Sequence, residues 1–76
     1  MNQRDRKRLG KLVEILSDVH TELEEMAENE QEKYDNLPEG IQESERGEEM
    51  LEVAELLQEK VDELSDIIDS LSEYSE

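Results

Sequence analysis

The sequence contains no cysteine, tryptophan or phenylalanine, and it has one histidine, one proline, three glycines and two tyrosines. Without cysteine it can form no disulfide framework, no thiol nucleophile and no thiolate zinc site. No apolar run reaches the length of a signal-peptide core or of a membrane span. We therefore expect a soluble, cytoplasmic protein with no membrane partner, organised as one small domain over residues 1–76.

Acidic side chains dominate what is present. Asp and Glu number 24 against 8 Lys and Arg, which gives a formal net charge of −16. A charge of this size repels phosphate, so we expect no direct binding to nucleic acid. The charge is also uneven, because residues 1–11 carry a net of +4 and residues 12–76 a net of −20.

Apolar residues recur at alternating spacings of three and four in two segments, which predicts two amphipathic helices over about 3–34 and 45–74. In the first helix Leu9 takes position a of a seven-residue repeat. The expected a and d seam of this helix is Leu9, Leu12, Leu16, Val19, Leu23 and Met26, widened at e by Val13, His20, Ala27 and Tyr34. The expected seam of the second helix is Met50, Ala54, Leu57, Val61, Leu64, Ile68 and Leu71. The apolar face of this helix is widened on the g side by Val53, Ile67 and Tyr74.

The connection over 35–44 carries turn signals. Asn36 is expected to be a left-handed cap of the first helix, and Pro38 cannot extend that helix. Residues 38–41 are expected to form one helical turn over the end of the structure, and Ser44 is expected to cap the second helix. So short a connection makes the helices antiparallel neighbours. The predicted fold is all-α, an antiparallel two-helix hairpin of coiled-coil type.

Antiparallel packing also accounts for the charge distribution. A basic start of the first helix and an acidic end of the second, with Asp66, Asp69, Glu73 and Glu76, are each unfavourable for the helix dipole, but the hairpin sets them side by side. We interpret the basic segment first as a cross-helix ion-pair partner and second as an arm that binds nucleic acid or a partner. Gly47 is expected to permit a close helix contact.

Two helices of this length bury little apolar surface, so the hairpin is expected to need a further stabilising contact. Homodimerisation into a four-helix bundle is the first prediction, and a marginal monomer or a hairpin completed by a partner protein are the alternatives. The apolar side chains predicted to make this contact are Ile15, Leu56, Ile67 and Tyr74.

Positions b and f of the second helix are acidic throughout and form a row about 42 Å long, with a carboxylate roughly every 5 Å. Like charges at these spacings destabilise a helix, so we expect a compensating advantage. One interpretation is solubility, and the other is a mimic of a nucleic-acid phosphate row that binds a basic protein groove. The predicted partner-binding residues are Glu45, Glu48, Glu52, Glu55, Glu59, Asp62, Asp66, Asp69 and Glu73.

Catalytic and metal-binding motifs are missing from the sequence. The lone His20 follows Ser17 by three positions, so the Glu-x-x-His motif of di-iron bundles is absent. Neither a nucleophilic triad, nor a calcium loop, nor a phosphate-binding glycine loop can be assembled. We predict a protein that is not an enzyme and has no metal site and no cofactor.

The stretch from Glu32 to Ala54, and above all the turn Asn36-Leu37-Pro38-Glu39, resembles a family of small acidic proteins of bacteriophages and prophages of Gram-positive bacteria. Members begin with a basic segment, continue as a Glu-rich amphipathic helix and end with a second acidic helix. The resemblance implies expression in the cytoplasm of an infected or lysogenic bacterial host. It also implies a role like that of the small acidic phage proteins that often inhibit host nucleases, defence factors or polymerases there.

The function predicted first is therefore that of a non-enzymatic inhibitor. It would bind a basic surface of a host defence or nucleic-acid-binding protein by nucleic-acid mimicry. The alternative is a structural or assembly protein that uses its apolar faces for oligomerisation or partner binding.

Overall fold

The computed structural model describes residues 1–75 and consists of two long helices joined by a short one. Helix α1 spans Gln3–Asp35, α2 spans Glu39–Gln42 and α3 spans Glu45–Ser75. Helix α1 packs against α3, and α2 packs against the beginning of α3. The predicted all-α hairpin is confirmed, together with both helix ranges to within one residue. Glu76 lies outside the described residues.

The hairpin is a rod rather than a compact domain. Its principal dimensions are 58 × 14 × 12 Å, and its radius of gyration is 17.2 Å, against about 11 Å for a compact domain of this length. The buried apolar residues of the described chain are Ala27, Ala54 and Val61, each 2% exposed. A pair of helices thus forms a contact stripe but encloses almost no interior.

The stripe of α1 that faces α3 follows positions a and e rather than a and d. Ala27 at position e is buried, and the other three e residues are half-buried, as are the leucines at position a. The d residues are exposed instead, at 48% for Leu12, 40% for Val19 and 52% for Met26. The expectation that these three line the seam is wrong. Two helices touch along one narrow stripe, and the small Ala27 opposite Ala54 favours the e side of that stripe because it lets the backbones approach closely.

The stripe of α3 follows the predicted a and d positions. Gly47, Ala54 and Val61 are buried, and the larger apolar residues of this seam are half-buried. Val53, Ile67 and Tyr74, which widen the apolar face of this helix at position g, lie outside the contact with α1 and remain exposed. A single partner helix is too narrow to cover positions a, d and g together.

The carboxyl end of α1 is capped by a side chain from α2. Asn36 has a right-handed backbone, with φ −86°, so the left-handed cap expected there is wrong. The amide Nε2 of Gln42 donates instead to the carbonyl oxygen of Tyr34 at 2.9 Å and to that of Asp35 at 3.4 Å. The carbonyl oxygen of Tyr34 also accepts a hydrogen bond from the backbone N–H of Leu37 at 3.1 Å. The Gln42 amide therefore adds a second bond to this carbonyl and also bonds that of Asp35, and the helix ends without a left-handed residue.

Helix α2 packs closely over the beginning of α3, as the expected turn over residues 38–41 requires. Ser44 caps α3 as predicted, since its Oγ accepts a hydrogen bond from the backbone N–H of Gly47 at 3.3 Å. A Cβ atom added at Gly47 would clash with the carbonyl oxygen of Ile41 and would lie 2.7 Å from Cα of Gln42. Gly47 therefore permits a close contact, which is made with α2 rather than with α1.

Candidate interaction surfaces

The two ends of the chain lie side by side at the open end of the hairpin. A Cβ atom added at Gly10 would lie 3.8 Å from Cβ of Ser75, and Arg6 and Lys7 line a small cavity together with Ser75. The predicted juxtaposition of the basic start with the carboxyl end of α3 is confirmed, and it suits the dipole of α3. Cross-helix ion pairing by the basic segment stays a prediction.

The acidic row lies on solvent-exposed positions along the whole of α3. It comprises the nine residues at positions b and f, namely Glu45, Glu48, Glu52, Glu55, Glu59, Asp62, Asp66, Asp69 and Glu73, and all nine are exposed. Asp62 accepts a hydrogen bond from Nε2 of Gln58 at 3.2 Å. The structure thus leaves the carboxylates available to a partner, as a binding function for the row requires.

One flank of the acidic row borders an acidic groove between the two helices. This groove encloses about 470 Å³, and its floor is formed by Ala27 and Ala54. Its rim carries Glu28, Glu32 and Asp35 from α1 and Glu55 and Glu59 from α3. The groove exists because two alanines face each other where larger residues would fill the space. It combines a small apolar floor with carboxylates of both helices.

The opposite side of the rod is apolar. The positions on this side are d and g of α1 and g and c of α3. Around each helix axis, the angle from the contact stripe to these positions is about 80° to 150°. They lie in one rotational sense from the stripe, whereas the groove residues lie in the other. In two antiparallel helices that face each other, positions turned in the same sense lie on the same side of the pair. The exposed apolar residues that share this side are Leu12, Ile15, Val19, Met26, Val53, Leu56, Ile67 and Tyr74.

This apolar side carries no net charge. The positions that form it, d and g of α1 and g and c of α3, are exposed throughout. Their acids are Asp5, Glu22, Glu49 and Glu63, and their bases are Arg8, Lys33, Arg46 and Lys60. Four acids and four bases cancel, although the whole chain carries −16. We call these positions the neutral apolar face.

An ion pair lies within this face on α3. Nζ of Lys60 is 3.0 Å from Oε2 of Glu63, and both side chains are more than half exposed. The hydrogen bond and the charge of Glu63 raise the pKa of Lys60, and the charge of Glu59 adds to this effect. The Lys60 ammonium is therefore held in its charged form, with Leu56 one turn and Val53 two turns away along α3. It balances an acid of the same face.

Sequence reasoning found half of the apolar members of this face. It named Ile15, Leu56, Ile67 and Tyr74 as available for a further contact, and the structure places all four on the neutral apolar face. It missed Leu12, Val19 and Met26, because these were assigned to the seam between the two helices, and it gave Val53 only as widening the apolar face of α3. Apolar residues recur at position e of α1, and this was the signal that the contact stripe lies on positions a and e rather than on a and d.

Other kinds of site find little support in the described part of the chain. Residues 1–75 contain no group of three or more His, Asp or Glu side chains arranged to hold a metal ion. His20 lies half-buried on the stripe between the helices. Within the same residues, no helix combines the length and the apolar character needed to cross a bilayer.

Comparisons of the chain with models of protein families, with curated proteins and with solved structures found no match. The resemblance to small acidic phage proteins therefore stays a prediction, and the functional argument depends on the geometry of the two sides of the rod.

Proposed function

We propose that the protein is a non-enzymatic assembly protein that packs its neutral apolar face against another amphipathic helical surface and thereby completes a four-helix bundle. The observation that carries this proposal is the set of eight large apolar side chains exposed on one side of the rod. Burying a fully exposed side chain of this kind contributes about 1.5–3 kcal/mol. These eight side chains are 40–61% exposed, so the isolated hairpin leaves about half of that gain unused. A contiguous patch of exposed large apolar side chains is typical of a site of protein–protein interaction.

The experiment that tests the proposal compares complexes retained by the tagged wild type with those retained by two variants, Ile15→Glu and Leu56→Glu. Both variants place a charge in the centre of the neutral apolar face. Thr21→Glu and Gln58→Glu are the matched controls, since they add the same charge at exposed positions on the other side of each helix. Complexes are collected from a Gram-positive bacterial lysate and from the pure protein alone, at low and high salt.

We expect association that persists at high salt, is lost in Ile15→Glu and Leu56→Glu, and survives in the two controls. The reason is that contacts between apolar surfaces are not screened by ions, whereas contacts between exposed charges are. Association that is unaffected by both variants, with the pure protein and with the lysate alike, would contradict the proposal.

A second candidate function is the one that the acidic row indicates. The protein would bind a basic surface of a host defence or nucleic-acid-binding factor in the cytoplasm of an infected bacterium, and would inhibit it by mimicking nucleic acid. The acidic groove favours this candidate. The aliphatic stem of an arginine or lysine fits against the floor of Ala27 and Ala54, while its charged head reaches Glu55 or Glu59.

Charge reversal separates this candidate from the first. Replacing Glu52, Glu55, Glu59 and Asp62 by Lys should abolish binding to a basic partner, and wild-type binding should weaken steeply with salt and compete with duplex DNA. Reversal of Glu14, Asp18, Glu24 and Glu25, four exposed acids of α1, changes the net charge equally and serves as the control. Unchanged binding by the fourfold variant would exclude the acidic row as the contact.

A further inference from the structure

We infer that the surface covering the neutral apolar face is a second copy of this chain, so that the protein is a homodimer of hairpins. This inference deepens the proposed function and rests on it. Its first support is the distribution of charge. Two chains of −16 repel each other, and a stable contact between them requires a face from which the excess acid has been removed.

The neutral apolar face meets this requirement. All the excess acid lies elsewhere, since the remaining positions hold 20 of the 24 acids and only four of the eight bases. The three bases of residues 12–76, Lys33, Arg46 and Lys60, all lie on the neutral apolar face. Packing two copies face to face therefore directs both acidic rows away from the contact, where water and ions screen them.

Charge complementarity also favours a second copy over a basic partner. A twofold-symmetric contact joins the same patch of both chains, so the patch must be complementary to itself. Acids and bases alternate within this face, as in Asp5 with Arg8, Arg46 with Glu49 and Lys60 with Glu63. Each copy thus offers the other both signs of charge. A basic partner would instead be attracted to the acidic row on the far side.

The exposed area matches the size of a dimer interface. The hairpin exposes 5993 Å², whereas a compact monomer of its mass exposes about 4,800 Å². The excess is about 1,200 Å², and a standard interface buries about 800 Å² on each partner. One side of a rod 58 Å long and 14 Å wide offers such an area. Covering this face once thus removes most of the surface that distinguishes the hairpin from a compact protein.

A contact of this kind has a characteristic dependence on salt. Screening weakens the repulsion between two acidic chains and strengthens their apolar contact, so self-association should tighten as salt increases. Binding of a basic partner by the acidic row should weaken over the same range. The sign of the salt effect therefore identifies which side of the rod is used.

The test is sedimentation equilibrium of the pure, full-length protein from micromolar to millimolar concentration, between about 0.05 M and 1 M salt. We expect a wild-type dimer whose dissociation constant falls with salt. Leu56→Ala and Ile15→Ala should each weaken it by about tenfold or more, because a symmetric interface loses the contact twice. Gln58→Ala, on the groove side, should leave the constant within about twofold. Alanine is a strong helix former, so circular dichroism should show unchanged helicity in Leu56→Ala and Ile15→Ala.

A wild-type monomer throughout this range would overturn the inference. So would a dimer that weakens with salt, or one that Leu56→Ala and Gln58→Ala affect equally. None of these results removes the proposed function. If the wild type is a monomer but binds a lysate protein at high salt, and Leu56→Glu abolishes that binding, then a different protein covers the same face. If Leu56→Glu affects neither self-association nor binding to a lysate protein, both proposals are contradicted.

Discussion

The neutral apolar face and the acidic side of the rod are built from the same two helices, yet they face opposite physical problems. On the acidic side, carboxylates repeat at spacings of three and four residues and repel each other. The repulsion between these carboxylates is weak only where water and ions screen it, so this side must remain exposed to solvent. On the neutral apolar face, acids and bases balance and large apolar side chains gather, so that side gains free energy when water is removed.

This difference supports the proposal that a chain of −16 associates with a second copy of itself through one face. If acids and bases were distributed evenly, every possible contact between two copies would be repulsive. Concentrating the bases of residues 12–76 on one face leaves that face free of excess charge and makes the other side still more acidic. In the proposed dimer the arrangement would also fix orientation, because the neutral apolar face is the side on which two copies meet without strong repulsion.

The largest effect is expected when charge is introduced on the neutral apolar face. Leu12→Glu combined with Val53→Glu should abolish self-association, with a loss of at least about 1,000-fold, because four carboxylates would enter one interface. Both residues are exposed in the hairpin, so its helicity should persist. The measurement is sedimentation equilibrium together with circular dichroism.

The same double variant tests the shifted contact stripe. Were Leu12 part of the contact between α1 and α3, Leu12→Glu alone would unfold the hairpin rather than separate two hairpins. Thr21→Glu, an added charge on the opposite side of α1, is the control and should change neither property.

A smaller effect, on the free energy of unfolding, is expected at the turn end of the hairpin, which comprises residues 36–44 and Gly47. This end contributes to folding but belongs to neither side of the rod. Gly47→Ala should lower the free energy of unfolding by about 1–3 kcal/mol, because the added methyl group meets the backbone of α2. Gly10→Ala is the matched control. Its methyl group makes ordinary contacts with Cβ of Ser75 at 3.8 Å and with the carbonyl oxygen of Ser75 at 4.0 Å, and should stabilise α1 by up to about 1 kcal/mol. Thermal unfolding measures both, and equal effects of the two changes would count against the close packing of α2.

Gln42→Ala should destabilise the hairpin by about 1 kcal/mol, because the carbonyl oxygens of Tyr34 and Asp35 lose the amide that caps α1. Gln58→Ala removes an exposed amide of the same kind from α3 and should cost much less. Denaturant unfolding at a fixed protein concentration measures the difference in the free energy of unfolding. The dissociation constant of the dimer, measured under conditions where both variants are folded, should not change. A shift of that constant would mean that the turn end takes part in the association.

The smallest effect is expected on the acidic row. Glu52→Gln and Glu59→Gln should each stabilise α3 by a few tenths of a kcal/mol at low salt, since each removes repulsion from acids three and four residues away. The gain should disappear at high salt. Glu63→Gln on the neutral apolar face should not give this gain, because it removes the ion pair with Lys60 at 3.0 Å. Measuring thermal unfolding at two salt concentrations separates the two cases.

Much of the fold could be predicted from the sequence, because the signals for it are local. The three-and-four spacing predicts both helices, Pro38 ends the first one, and Ser44 lies where the second one needs a cap. The nine acids of positions b and f follow from the same periodicity, and they are exposed as expected. Each of these inferences needs only neighbours within a turn or two along the chain.

The contact stripe of α1 could not be predicted in the same way. Positions d and e are both apolar in this helix, and periodicity alone does not say which of them faces the partner helix. The choice depends on how closely two backbones approach at Ala27 and Ala54, which is a property of the pair. The cap by Gln42 was missed for a related reason, because it joins residues seven and eight positions apart through a side chain.

The most direct test of a covered neutral apolar face is the rate at which peroxide oxidises Met26 in the wild-type protein. In the hairpin Met26 on this face is 52% exposed and Met1 outside it is 70% exposed, so both react readily in a monomer. We predict that Met26 becomes several-fold slower than Met1 as protein concentration rises, and that dilution or Leu56→Ala removes this protection. A Met26 rate that keeps the same ratio to that of Met1 at every concentration would contradict the account.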